Sequence, residues 1–237
     1  DYLDGGAGSD TLEGGTAGDW LFGAAGADSL YGGDGDDSLY ASEGADHFDG
    51  GAGYDMVDYA ASSAIYINLA TNVATGGLAE GDTFAFVERI EATAFGDTLV
   101  GGDLNNRLYG AGGDDLITGG DHWDFIDGGD GADTIDAGGG GDTMISGAGD
   151  DVLTGGGGSD SFVFLAAGGS DRITDWQSGW DTMIFANMAA TTEMSDLTLA
   201  QISATEWSVA YIDGAEELVT VEGAAAFTLT ASDFVFV

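Results

Sequence analysis

The chain of 237 residues contains no cysteine and no proline, and only three basic residues stand against forty-three acidic ones. Without cysteine there are no disulfides, no thiolate metal sites and no thiol nucleophiles. That absence does not place the protein in the cytosol, because metal ions can do the stapling that disulfides otherwise do. Proline would remove an amide and restrict the backbone in every turn of a tightly wound coil, so its absence fits such a coil. A formal charge of −40 excludes binding to nucleic acid or to an anionic membrane surface through the chain's own field. No apolar run approaches the ~20 residues of a membrane-spanning helix, and the first residues do not read as a basic–apolar leader. High charge often means disorder, yet 43% of the residues are apolar and they are regularly spaced, which disordered acidic chains have no reason to be.

The regularity is a nine-residue phrase, Gly-Gly-x-Gly-x-Asp-x-apolar-x, present in fourteen phased copies. One block starts its copies at Gly5, Gly14, Gly23, Gly32, Ala41 and Gly50, and a second at Ala92, Gly101, Gly110, Gly119, Gly128, Ala137, Ser146 and Gly155. Position six is Asp in every copy except one, where it is Asn106. Position eight is always apolar: Leu12, Leu21, Leu30, Leu39, Phe48, Val57, Leu99, Leu108, Ile117, Ile126, Ile135, Met144, Leu153 and Phe162. A period this strict predicts a solenoid. The glycines permit a tight turn with carbonyls directed at one spot. The next three residues make a minimal strand whose position-eight side chain faces inward. Two units then close one loop of the coil, so Asp residues eighteen apart, such as Asp10 and Asp28 or Asp115 and Asp133, stack on one edge. Hard oxygen ligands call for a hard cation, and the oxygen number suits Ca²⁺ better than the tighter octahedron of Mg²⁺. About ten such ions would cancel roughly half of the charge; the count expected is roughly eight to twelve.

The organisation follows from the period. Residues 1–58 form the first repeat block, 59–91 a spacer, 92–163 the second block and 164–237 a β-rich cap. Asp1-Tyr2-Leu3-Asp4 reads as the end of a further repeat, which makes the chain the C-terminal part of something longer. In the spacer Ile65, Ile67 and Leu69 alternate as a strand does, and Asp82 to Ile90 reads as a short helix with Asp82 as its N-cap. In the cap, Trp207–Ile212, Glu217–Glu222 and Phe227–Val237 read as strands that close the open end of the solenoid.

On these motifs the chain resembles the RTX (repeats-in-toxin, haemolysin-type) calcium-binding β-roll family. The stretch Asp171-Arg172-Ile173-Thr174-Asp175-Trp176 and Gly179-Trp180-Asp181 resembles the flank that follows the last repeat, with Trp176 where the family usually has Phe. The resemblance implies an all-β, right-handed parallel β-roll. It also implies a ligand scheme: each ion takes the carbonyls of positions two and four and the Asp of one repeat. The remaining ligands are the carbonyls of positions one and three and the Asp of the repeat after next. The carboxylates so implied are Asp10, Asp19, Asp28, Asp37, Asp46, Asp55, Asp97, Asp115, Asp124, Asp133, Asp142, Asp151 and Asp160. Carbonyls in the first block would come from Gly6, Gly8, Gly15, Gly23, Ala25, Gly32, Gly33, Asp34, Gly35, Gly50 and Ala52. In the second they would come from Gly110, Gly112, Gly113, Gly128, Gly129, Asp130, Gly131, Ala137, Gly138, Gly139, Gly140, Ser146, Ala148, Gly155 and Gly157. Phe95, Leu104 and His122 replace the position-four Gly, so sites drawing on Ala92–Tyr109 are expected to be weak or empty. The side chains of Asp34, Asp36, Asp114 and Asp150, outside position six, are expected in solvent or in turns.

His47 and His122 lie far apart and outside any His-Glu-x-x-His helix, and no Gly-x-Ser-x-Gly elbow is present. The segment therefore reads as a binding and folding module and not as an enzyme. Trp20, Phe22, Ser38, Tyr40, Met56 and Asp58 share one outward face, a candidate contact with an upstream domain or a second subunit. The resemblance further implies export of an unfolded chain through the type I secretion apparatus of a Gram-negative bacterium. Folding would follow in extracellular calcium, at the cell surface or beyond, with Ala231–Val237 fitting a C-terminal export signal. The parent is then either a secreted exoenzyme (a protease, lipase or polysaccharide lyase) or a structural surface protein of S-layer or adhesin type. If the ligand scheme holds, Asp133→Ala weakens calcium binding measured by calorimetry, whereas Asp34→Ala leaves it unchanged; equal effects overturn it.

Overall fold

Each nine-residue unit forms its turn from the glycine phrase and then a strand of three or more residues whose position-eight side chain points inward. A computed structural model describes residues 1–186, 198–203, 205–212, 216–223 and 228–237. All fourteen position-eight side chains are buried in it, with exposures of 5% at Leu12 and 0–1% at the others. Strand alternation explains why: positions seven and nine take the outer face and position eight the core. The chain forms two compact units, Asp1–Ala111 and Gly112–Val237. Among the described residues there is no α-helix; two 3-10 turns occur, at Gly77–Ala79 and Ala231–Asp233.

In the first unit one parallel sheet carries β1 (Tyr2–Asp4), β3 (Trp20–Phe22), β5 (Ser38–Tyr40), β7 (Met56–Asp58), β11 (Arg89–Glu91) and β13 (Arg107–Tyr109), in that order. Facing strands β2 (Thr11–Thr16), β4 (Ser29–Asp34), β6 (His47–Ala52) and β10 (Thr83–Ala85) form a second parallel sheet. The register is eighteen residues per turn: Leu12 pairs with Leu30, Leu30 with Phe48, and Leu21 with Leu39. The spacer contributes an antiparallel pair, β8 (Tyr66–Asn68) and β9 (Val73–Thr75), and β8 also pairs in parallel with β12 (Thr98–Val100). Ile65 and Ile67 are buried there, as their alternation requires.

The helix read over Asp82 to Ile90 is not formed. Thr83–Ala85 is strand β10, in register with His47–Asp49, and Arg89–Glu91 is strand β11, in register with Met56–Asp58. The physical reason is that Gly81-Asp82-Thr83-Phe84 repeats the second half of the nonapeptide phrase. Phe84 takes the position-eight place against Phe48, and packing on an existing sheet edge overrides the weak preference of a short helix.

In the second unit β15 (Phe125–Asp130), β17 (Thr143–Ala148), β20 (Ser161–Phe164), β22 (Thr182–Phe185) and β26 (Phe234–Phe236) are parallel neighbours. The opposite sheet runs β14 (Leu116–Gly120), β16 (Thr134–Gly140), β18 (Val152–Thr154), β21 (Ser170–Ile173) and β25 (Glu216–Glu222). It continues through two antiparallel strands, β24 (Glu206–Ile212) and β23 (Thr198–Ser203), and the short β19 (Gly157–Gly158) pairs with β16. Two of the strands read in the cap are therefore present. The third is limited to Phe234–Phe236, and Phe227 lies outside the described residues. Among the described residues no helix is long and apolar enough to cross a membrane. Ile135 is fully buried and Thr134 beside it is exposed. Ile135→Ala is expected to lower the unfolding free energy in calcium by about 2–5 kcal/mol, and Thr134→Ala by no more than about 0.5 kcal/mol, as read by chemical denaturation.

Candidate metal centre

The position-six carboxylates form two ladders, one along each edge of the coil. In the first unit the Asp10 amide donates to Asp28 Oδ1 at 2.8 Å, Asp19 to Asp37 at 2.8 Å, Asp28 to Asp46 at 2.9 Å and Asp37 to Asp55 at 2.8 Å. In the second, Asp115 donates to Asp133 at 2.9 Å, Asp124 to Asp142 at 2.8 Å, Asp133 to Asp151 at 2.8 Å and Asp142 to Asp160 at 2.9 Å. Each carboxylate thus accepts the amide of the rung eighteen residues earlier. Asp10 is half-buried, and the other twelve position-six Asp side chains are buried.

One hydrogen bond leaves the second oxygen of each group to be accounted for. The Oδ2 atoms of Asp10, Asp19, Asp28, Asp37, Asp55, Asp133, Asp142, Asp151 and Asp160 are buried without a hydrogen-bond partner. A buried carboxylate oxygen in that position is costly unless a cation or a donor meets it. A backbone carbonyl comes to the same place. A Cβ built on Gly14 would lie 2.6 Å from Asp19 Oδ2 and 2.6 Å from the Gly32 carbonyl oxygen; on Gly5 it would lie 3.0 Å from Asp10 Oδ2 and from the Gly23 oxygen. The Cβ of Gly119 would likewise meet Asp124 Oδ2 and the Ala137 oxygen. Position one is glycine in ten of the fourteen copies, and at Gly5, Gly14 and Gly119 a side chain would fill the cradle. At Gly26 and Gly131, with φ of 144° and 143°, an added Cβ would also collide with the carbonyls of Gly8 and Gly113 in the previous turn. An unpartnered carboxylate oxygen beside a backbone carbonyl, with no donor on it, is the kind of oxygen environment a hard divalent cation takes.

The remaining site residues fall into two groups. The position-one carbonyls of Gly23, Gly32, Ala137 and Ser146 lie beside the Asp of the repeat two before. The position-three carbonyls are already engaged between turns: Ala25 accepts the Gly8 amide at 2.8 Å, Ala52 that of Gly35 at 2.8 Å, Asp130 that of Gly113 at 2.7 Å and Ala148 that of Gly131 at 2.7 Å. Gly6 similarly accepts the Ala25 amide at 2.9 Å. A carbonyl keeps a second lone pair for a ligand. Gly15, Gly33, Gly129 and Gly138, at position two, have positive φ in the turns, as do Gly35 and Gly113 at position four. The Asp34 and Asp130 side chains are exposed. Asp36, Asp114 and Asp150 accept the amides of Tyr54, Ala132 and Ser170, bracing successive turns. His47 lies in β6 with Nδ1 3.0 Å from Thr83 Oγ1, and His122 is exposed. No group of three acid or histidine side chains converges among the described residues, so carbonyls must supply most of the oxygens.

Three rungs are different in kind. At Asp46, Asp82 and Asp97 the second oxygen accepts a hydroxyl: from Ser42 at 3.0 Å, Tyr59 at 2.6 Å and Thr93 at 2.8 Å. Asp82 belongs to the ladder although it lies in the spacer, since its Oδ1 takes the Asp46 amide at 2.7 Å. Glu88 takes the Asp55 amide at 3.0 Å, and the Phe86 carbonyl stands beside Asp55 at Gly50. In the second unit Asp171 and Asp181 continue the ladders, accepting the amides of Asp151 at 3.1 Å and Asp160 at 3.2 Å. Asp171 Oδ2 is again buried without a partner. Asp171 and Asp181, 20 and 21 residues after Asp151 and Asp160, fall off the eighteen-residue period. Asp82 is on it, at 36 residues after Asp46, but Ala64 holds the place between them. Asp-x-apolar was the available signal.

Burial raises the carboxyls of Asp55, Asp82, Asp133, Asp142 and Asp181 to about 6, and ladder amides only partly offset it. Burial raises both Asp151 and Asp171, with the charge of Asp133 adding to the first and that of Asp151 to the second.

A family model described as the RTX calcium-binding nonapeptide repeat (4 copies) matches residues 1–30, 22–57, 100–135 and 136–173, more than half of the chain. A search of curated proteins finds no match to the sequence. Among solved structures, the extracellular lipase LipA from Serratia marcescens aligns with a TM-score of 0.41 and 17% identity, covering 97% of this chain and 38% of that one. The chain therefore spans well under half of the lipase's length. Two subunits of the Azotobacter vinelandii mannuronan C5-epimerase also align. AlgE6R2 has a TM-score of 0.39 and 26% identity over 51% of this chain and 91% of that one. AlgE6R3 has a TM-score of 0.41 and 24% identity over 60% and 79%.

The raised carboxyls fix the sign of a pH dependence. An unfolded Asp titrates near 3.9, so the folded ladder holds more protons and, without a cation, loses stability as pH rises through about 4 to 6 and above. A cation displaces those protons, so its affinity rises over the same span. In chelator, β-structure by circular dichroism is expected to be greater at about pH 4.5 than at pH 8. Calorimetry near pH 6 in buffers of different ionisation heat is expected to show proton release on calcium binding; proton uptake contradicts the ladder electrostatics.

Proposed function

Because this chain belongs to the RTX calcium-binding nonapeptide repeat family, whose repeats bind calcium, we propose that it is a module whose two repeat arrays coil up when calcium binds. The observation that carries this reading is the row of buried Asp Oδ2 atoms without a partner. Bound Ca²⁺ supplies two positive charges and six to eight positions for oxygen ligands. Asp10 and Asp28, with the carbonyls of Gly6, Gly8, Gly23 and Ala25, would hold one ion. Asp133 and Asp151, with those of Gly129, Gly131, Ser146 and Ala148, would hold another. Roughly eight to twelve ions follow from applying the scheme along both arrays, fewer where Ser42, Tyr59 and Thr93 already meet the carboxylate. Each Asp fixes the turn before it through Oδ1 and offers Oδ2 to the ion, so coordination and coiling are one event.

In this reading the segment is a folding and binding module and not a catalyst. At low calcium, repulsion among the forty-three acidic groups keeps the chain open, with no disulfide or proline to hinder passage through a type I secretion channel. Folding takes place in extracellular calcium, at or beyond the surface of a Gram-negative cell, and stabilises whatever the parent protein carries. A secreted exoenzyme is one such parent. A second reading, assembly in an S-layer or adhesin, is favoured by one surface: Tyr2 and Trp20 are 64% and 57% exposed, and Phe22 stacks on Tyr40 with centroids 4.1 Å apart.

Circular dichroism during a calcium titration is expected to move from disorder to β-structure, with sedimentation showing compaction. Full β-structure in chelator at neutral pH sinks the coupled-folding reading, and a species that stays monomeric at rising concentration removes the assembly reading.

A further inference from the structure

The two arrays are not uniform in how their buried carboxylates are held, and the difference is concentrated in one place. From Asp46 to Asp97, three buried carboxylates, Asp46 and Asp82 on one ladder and Asp97, which takes the Ile65 amide, have their second oxygen met by Ser42, Tyr59 and Thr93. On the other ladder the rungs are Glu88, and then the neutral Asn106, whose Oδ1 accepts the Gly102 amide at 2.8 Å. Asp55 alone in this stretch keeps an unpartnered Oδ2. Asp10, Asp19, Asp28 and Asp37, earlier in the same unit, all have one.

The apolar core thickens at the same place. In the earlier turns of the same unit β2, β3, β4 and β5 each bury one large side chain, Leu12, Leu21, Leu30 and Leu39. Within the thickened stretch Phe48, Tyr59 and Phe84 form a buried ring cluster with centroids 5.9–6.5 Å apart. Ile65, Ile67, Val87 and Ile90 are buried as well. Tyr59 joins both features, its ring in the cluster and its hydroxyl on Asp82, where burial and the Asp82 charge hold the phenol protonated as a donor.

We propose that residues 41–106 form a calcium-independent nucleus within the first unit, in which hydroxyl groups stand where the other rungs take a cation and an enlarged aromatic core supplies the stability. The remaining turns of the unit then add to an edge that already exists, so the costly first turns of the solenoid need no metal. The proposal rests on calcium-driven folding of the other turns.

Hydrogen exchange read by mass spectrometry on the whole chain, in chelator and in millimolar calcium, tests it. In chelator, amides of β6, β8, β10, β11 and β12 are expected to exchange on the order of 100-fold more slowly than an unfolded chain. Those of β2–β5 and β14–β18 are expected near the unfolded rate, and in calcium all are protected. Exchange at the unfolded rate throughout in chelator overturns the nucleus while leaving calcium-driven folding intact. Protection throughout in chelator overturns calcium-driven folding, and the nucleus as a distinct segment with it. Tyr59→Phe keeps the ring and removes the donor, and is expected to cost the chelator-state segment about 10- to 100-fold in protection, with the calcium state still folded. Thr93→Val is an independent second variant. Unchanged protection in both overturns the role given to the hydroxyls.

Discussion

Taking a carboxylate out of water beside another carboxylate is the constraint to which the other features of this chain answer. Burial alone is costly, and a like charge one turn away adds to it. The ladder amide settles one oxygen of each rung, as between Asp133 and Asp151. The other oxygen must find either a metal ion or a donor. Thirteen of the fourteen repeats carry the Asp, and at Asp10, Asp28, Asp133 and Asp151 among them the second oxygen is buried with no donor among the described residues. The glycine at Gly5, Gly14 or Gly119 then follows, since it leaves open the space in front of that oxygen.

The spacer sits inside this logic and is not an interruption of it. Its strands β10 and β11 each continue a sheet, and Asp82 and Glu88 each continue a ladder. What changes is the chemistry at the second oxygen. A phenol or an aliphatic hydroxyl brings a proton but no net charge. It therefore leaves the rung ionised and satisfied, and insensitive to the supply of cations. One chain thus carries both solutions to the same electrostatic problem.

Much of this was legible in the repeats. A strict period places Leu30, Ile135 and their equivalents in the core, and sets Asp10 over Asp28, because both consequences depend only on counting. Counting fails where the loop length changes. Asp171 follows Asp151 by 20 residues, so a fixed interval passes it over. Asp82 follows Asp46 by 36, two whole periods, and is hidden because the place between them is held by Ala64. Asp82 to Ile90 was read as helix because a capping residue and a short mixed run outweighed the half-phrase Asp-Thr-Phe; the neighbouring strand β6 decides otherwise. Tyr59 and Asp82 are 23 residues apart and meet only through the fold. Ser42 and Thr93 precede their Asp by four residues, a spacing too common in a chain of this composition to stand out.

The eighteen-residue register has a consequence for how such arrays change length. Neighbouring nonapeptides lie on opposite sheets, so a loss or gain of nine residues would transfer every following side chain to the other side. Tyr2, Trp20, Phe22 and Tyr40 share one sheet because they sit in alternate units, and a single nine-residue slip between them would scatter that surface. Duplication or deletion by eighteen leaves both ladders and both faces in order. The unit that keeps this structure in register is thus the full turn, twice the unit of repetition seen in its sequence.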